Sequence, residues 1–317
     1  WWKKDTRDLL YQIPLAGVTG NFASAPAVNI ASMLNQGLDF QISNRGSLGE
    51  GIAYEVTLNS SFLKNEITAL ADGIEYFDGG SYRGIAPIRN AVGQSLSTFF
   101  GYNVTGYFNS QAEADAANQD GAGVGRFKYE DVDRDGKITP DDRTFIGSPV
   151  PDWTGGMNLN IQYKNFSLNT YFYASVGAEI FNQSKWFTDF FGTFEGSAKG
   201  INALQSWTPA LGDNAAAPIW ESATNLSTSG AANSWYVEDG DFLRLQSLAL
   251  SYDFEGAILD QLGLSDLSIG ISGNNLFTIT NYSGLDPMVG GADTNFGVDV
   301  GNYPVTPSYL LNIRINK

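Results

Sequence analysis

The chain contains no cysteine and no histidine. Without them there is no disulfide, no thiolate nucleophile, no Cys/His zinc site and no Ser-His-Asp triad. Basic residues are scarce, with Lys+Arg 18 against Asp+Glu 34 and a net charge of −16. This balance argues against a nucleic-acid partner, because a basic footprint supplies most of that affinity. It argues equally against docking on an anionic cytoplasmic leaflet. No run approaches the roughly 20 apolar residues of a membrane-crossing helix, so a membrane role would require strands closed into a barrel. Initiator Met and signal peptide are both absent from the opening, Trp1-Trp2-Lys3-Lys4, which reads as the start of a piece of a longer protein.

What is abundant points to strands and turns. Glycine numbers 36 and aromatics make up 13% of 317 residues, a composition suited to β structure. Apolar and polar residues alternate with period two in segment after segment. Leu34, Leu38, Phe40 and Ile42 interleave with polar residues, and a turn at Asn44-Arg45-Gly46-Ser47 leads to Ile52, Tyr54, Val56 and Leu58. Met157, Leu159, Ile161 and Tyr163 are followed, across Lys164-Asn165, by Phe166, Leu168 and Phe172. Two residues between alternating runs predict a hairpin. The same pattern returns at Leu248–Phe254, Leu267–Ile271 and Tyr309–Ile315. Adding 2–13, 94–107 and 124–131 gives about ten strands, many near the length of a tilted membrane strand.

A soluble sandwich alternates too. Two features favour a barrel. Connections alternate between short (44–49, 164–165, 256–264) and long (66–93, 178–241, 277–304), as turns and external loops do in outer-membrane barrels. Aromatics also collect near strand ends, at Tyr11, Tyr107, Phe108, Tyr163, Phe166, Tyr252, Phe254 and Tyr309, as interfacial girdles require. With all short turns on one side, ten is the count that parity favours. Ten strands leave two open edges, which predicts that the rest of the barrel lies elsewhere in a parent chain.

One motif carries metal chemistry. Asp131-Val132-Asp133-Arg134-Asp135-Gly136-Lys137 runs on to Asp142, with oxygen ligands at positions 1, 3 and 5, glycine at 6 and an acid at 12. Calcium is the expected ion, in a structural role, held by Asp131, Asp133, Asp135, the Lys137 carbonyl and Asp142. Asp142 is shorter than the usual Glu, Pro140 disfavours continuation into a helix, and the alternative is a solvated acidic turn. The glycine-rich Gly121–Gly125 does not open a helix after a strand, so it predicts no phosphate cradle. No pair of carboxylates stands out for acid/base work, and no enzyme activity is expected.

Taken in order, several segments resemble the SusC/RagA family of TonB-dependent transporters. These are Met33–Phe40, Gly125–Glu130 leading into the Asp-rich loop, Asp142–Pro149, Pro151-Asp152-Trp153-Thr154-Gly155-Gly156, Tyr236–Leu245, Gly273–Thr278 and Tyr282–Pro287. The resemblance implies that residues 1–317 are the C-terminal portion of an antiparallel transmembrane barrel of about 22 strands, without the plug and N-terminal strands. It further implies location in the bacterial outer membrane, in contact with lipid, and TonB-driven import of an oligosaccharide or peptide. TonB would act through the absent N-terminal part, and a SusD-like surface lipoprotein would close over the barrel. In the long loop, Trp186, Phe187, Trp207, Trp220, Trp235 and Tyr236 are candidates for substrate or partner contact, or for packing of the loop itself. The rival reading is a soluble, calcium-stabilised carbohydrate-binding β module.

Overall fold

The computed structural model describes residues 1–12, 27–194, 196–292 and 295–317. Side chains at 11–12, 27–28 and 30, Tyr11 among them, and the end of the predicted strand at Ile13 lie outside that description.

Eight long strands form one continuous antiparallel sheet, each paired with its neighbours in chain order. They are β1 Trp2–Gln12, β2 Ala27–Leu48, β3 Ile52–Leu70, β4 Trp153–Tyr163, β5 Phe166–Val176, β6 Phe242–Asp253, β7 Asp266–Thr280 and β8 Ser308–Asn316. Register follows the alternation. Met157, Leu159 and Ile161 pair with Leu58, Val56 and Tyr54 on one side and with Phe172, Thr170 and Leu168 on the other. A one-residue slip would turn every one of these side chains to the opposite face, so the pattern itself fixes the pairing.

The apolar face of this sheet is bare. Ile42 is 61% exposed, Ile271 56%, Leu311 67% and Ile313 57%. The opposite face carries polar rows, among them Asp39–Ser61 and Ser43–Thr57, joined by side-chain hydrogen bonds of 2.5 and 2.9 Å. Apolar residues outside and polar residues inside are the arrangement of a membrane barrel wall. No second sheet packs on the apolar face among the described residues, which a sandwich would need. Tyr163, Phe166, Tyr252 and Phe254 gather at the end with the short turns, where the Phe166 and Tyr252 rings lie 4.7 Å apart.

Three expectations need correction. The wall has eight strands among the described residues, rather than ten. Segments 94–107 and 124–131 form short strands, Phe99–Tyr102, Val104–Tyr107 and Phe127–Tyr129, outside the wall sheet. There they fold into loop structure, and Tyr107 and Phe108 are buried in it instead of lying in a girdle. Finally, Asn44–Ser47 continues β2, and the turn falls at 49–51, where Gly49 and Gly51 adopt φ of 59° and 88°.

Candidate functional site

Three long connections, 71–152, 177–241 and 281–307, leave the same end of the wall and share one core. Phe99, Phe127, Phe181 and Tyr236 are fully buried in it, and ring centroids lie 5.8 Å apart for Phe99–Phe181 and 5.1 Å for Phe181–Tyr236. A long loop stays ordered when it builds such a core. The loops therefore form a cap with its own hydrophobic interior.

Polar ties cross the cap and fix it to the wall. Lys185, almost fully buried, donates to the Trp235 carbonyl at 2.7 Å and lies 3.3 Å from Glu238 and 3.7 Å from the Trp235 ring centroid. Burial depresses its pKa, opposed by the Glu238 and Asp189 carboxylates. Glu238 also accepts from Asn182 and from both the amide and the hydroxyl of Ser283, so loops 177–241 and 281–307 meet on one carboxylate. Nearby, the Tyr282 hydroxyl donates to Asp299 at 2.6 Å. From β6 the Arg244 guanidinium reaches Thr278 at 2.8 Å and Asp286 at 2.6 Å. Asp286 accepts in addition from the Met288 and Val305 amides. None of these ties was visible in sequence, because a single Lys or Arg in a polar stretch has no pattern that distinguishes it.

The six aromatic candidates divide between interior and surface. Trp207 and Tyr236 are buried, and Trp235 is partly buried, its indole nitrogen donating to the Ala216 carbonyl at 3.0 Å. Trp207 donates in the same way to Asn109 at 3.0 Å. The Tyr236 hydroxyl has no hydrogen-bond partner among the described residues. Trp220 is 41% exposed and faces Phe191, with centroids 5.4 Å apart. Trp186 and Phe187 are half-buried and stand against each other at 4.9 Å, Trp186 packing on the cap core.

The acidic loop folds tightly. Gly136, at φ 82°, makes the bend, and its amide donates to Asp131 at 2.9 Å. Carboxylate oxygens of Asp131, Asp133 and Asp142 lie within 4.8 Å of one another. The other oxygen of Asp131, Oδ1, is buried without a hydrogen-bond partner, and an anionic oxygen so placed suits a cation. Asp135 stands outside this group and accepts from the Lys137 amide at 2.8 Å. Asp142 is fully buried, accepting from the Val132 amide at 2.8 Å and the Thr139 amide at 2.7 Å. At Asp133 the Asp135 amide acts to lower the pKa, yet desolvation and the carboxylates of Asp135, Asp142 and Asp131 leave it raised. In place of an exiting helix, Pro140 opens a 3-10 turn, Pro140–Asp142, capped by Thr139. Pro suits that first position because its amide would have no partner there.

This loop is wired into the cap. Asn118 donates to the Gly136 carbonyl at 2.8 Å. The next residue, Gln119, is buried, its amide nitrogen donating to Phe127 O and Ser227 Oγ and its oxygen accepting from Tyr129 N.

Sheet and cap together define a segment of an outer-membrane-type β-barrel wall with large external loops. No family model matches the chain. Among known proteins it is 30% identical over 98% of its length to TonB-dependent receptor P3 of Formosa agariphila, and 29% identical over 99% to receptor P26 of the same organism. It is 24% identical over 98% of its length to the TonB-dependent receptor SusC of Bacteroides thetaiotaomicron. Among solved structures, that of the RagAB peptide transporter superposes on 99% of this chain with a TM-score of 0.78 at 21% identity, and its closed-closed state with 0.74 at 23%. At those identities the superpositions speak for the fold. The chain spans 31% and 32% of the two Formosa receptors, about a third of each. It is thus similar over nearly its whole length to about a third of several TonB-dependent receptors, proteins of the bacterial outer membrane.

Proposed function

We propose that residues 1–317 are the C-terminal portion of a TonB-dependent importer, supplying wall strands and the external cap. The cargo is a nutrient, an oligosaccharide or a peptide, delivered to the periplasm. A SusD-like surface lipoprotein meets the cap, and TonB acts through a part of the parent chain outside these residues. The observation that carries this reading is the joint one of an exposed apolar sheet face and alignment of nearly the whole chain with about a third of a TonB-dependent receptor. The open edges of β1 and β8 agree with it, since each has a paired neighbour on one side only among the described residues.

Calcium belongs to the same reading. Asp131, Asp133 and Asp142 would hold it, with the Lys137 carbonyl, and the buried unpartnered oxygen of Asp131 supports the fit. A calcium ion there would offset two of the three carboxylate charges and stiffen the loop that Asn118 ties to the segment carrying Gln119.

The test is extraction of native outer membranes in detergent, followed by intact-mass measurement of the protein and whatever co-purifies. A parent of which this chain is about a third, held with a lipoprotein, is the expected result. A water-soluble species of this chain's mass would overturn it.

A further inference from the structure

Tyr82 and Ile85 bridge each other through two backbone hydrogen bonds, of 2.9 and 3.1 Å, around the two-residue turn Arg83-Gly84. Both central residues have positive φ, 55° and 80°, which is a type I′ turn. Glycine, asparagine and aspartate suit such a position, whereas an arginine with a full side chain is disfavoured there. The turn is pinned from below, because Gln183 donates to the Tyr82 carbonyl at 2.5 Å and Ile85 is fully buried. A strained residue held in place by its surroundings invites a functional explanation.

The side chain supplies one. Arg83 is exposed, yet its guanidinium carbon sits between 5.5 and 5.7 Å from the ring centroids of Tyr82, Trp186, Phe187 and Phe194. Tyr82 and Phe194 themselves are 40% and 56% exposed. Among the described residues no carboxylate forms an ion pair with Arg83, in a chain of net charge −16. An arginine fixed by ring faces keeps its donors in a planar fork matched to a carboxylate, and the surrounding rings offer apolar area for the body of the molecule that carries it.

We infer that Arg83, with Tyr82, Trp186, Phe187 and Phe194, is a binding site for a carboxylate-bearing cargo at an exposed surface of the cap. The carboxylate belongs either to an acidic sugar or to the end of a peptide. The inference rests on the import reading.

The test uses the full transporter purified in detergent and calorimetric titration with four probes: trigalacturonate, its methyl ester, trialanine and trialanine amide. One of the two acids is expected to bind at least about tenfold more tightly than its uncharged counterpart, and which acid does so tells the source of the carboxylate. That preference should shrink as salt is raised, as an exposed ion pair does. Arg83→Asn, which suits the positive φ and removes the charge, should abolish the preference while leaving the melting temperature unchanged or higher. In Glu195→Gln, which removes a carboxylate next to Phe194 in sequence, the preference should persist. Equal binding of acid and neutral forms, no binding of any of the four, a preference kept in Arg83→Asn, or one lost in Glu195→Gln would each overturn the site. Failure of the import reading shows elsewhere, in the parent mass and the absence of a lipoprotein.

Discussion

Arg244 stands inside the wall end of the cap with only 4% of its side chain exposed, and Asp286 opposite it with 11%. Removing one partner of such a pair strands the other charge, at a penalty of about 3–5 kcal/mol. Arg244→Ala should therefore lower the melting temperature in detergent and open loop 281–307 to protease, and protection equal to wild type would reject the role. Tyr236 makes the opposite case. Its hydroxyl is fully buried with no partner among the described residues, and burial pushes its pKa well above the ordinary phenol range. Deleting an unsatisfied hydroxyl removes a desolvation penalty of about 1–3 kcal/mol, so Tyr236→Phe should melt at the wild-type temperature or above. A clear fall would reveal a hydrogen-bond partner. For the acidic loop, calcium should raise the melting temperature of the full-length protein and a chelator should reverse it. Asp131→Asn should remove the response, since Asp131 brings the unpartnered buried oxygen. A response of the same size in that variant would send the ion elsewhere.

At the level of the strand, the two faces of β6 give a paired experiment. Leu250 pairs with Leu168 and Ile271 on the bare apolar face, 39% exposed, while Ser251 next to it turns to the polar side. An arginine facing lipid costs about 2–4 kcal/mol at the midplane of a barrel and less toward the interface, and Leu250 lies two residues from Tyr252 at the turn end. Leu250→Arg should thus reduce folded, heat-modifiable protein in outer membranes, and Ser251→Arg should not. Equal effects would mean that the faces are assigned wrongly. Strands of this kind were legible in sequence because a buried or lipid-facing side forces period-two alternation, as in Met157–Tyr163. Segments 94–107 and 124–131 misled for a physical reason. Their aromatic and β-branched residues favour extended backbone wherever there is an apolar surface to cover, and the cap core supplies one just as lipid does. The acidic loop was legible because ligand spacing within one short segment is local. Glu238 meeting Ser283, or Gln119 meeting Ser227, joins residues far apart in the chain, and a single sequence carries no signal of that.

For the molecule as a whole, an apolar sheet face and two edge strands, β1 and β8, are left uncovered among the described residues. Unpaired edges and bare apolar surface both promote association. Residues 1–317 produced alone should sediment as aggregate unless detergent is present, and a monodisperse monomer in plain buffer would contradict the wall assignment.

The cap has a consequence for anyone wishing to redirect such a receptor to a new cargo. Phe99 comes from the first loop, Phe181 and Tyr236 from the second, while Glu238 and Ser283 bind the second to the third. A single loop transplanted from a relative would bring half an interior and half of each tie. The exchangeable part is all three loops moved together, wall anchors Arg244 and Thr278 included.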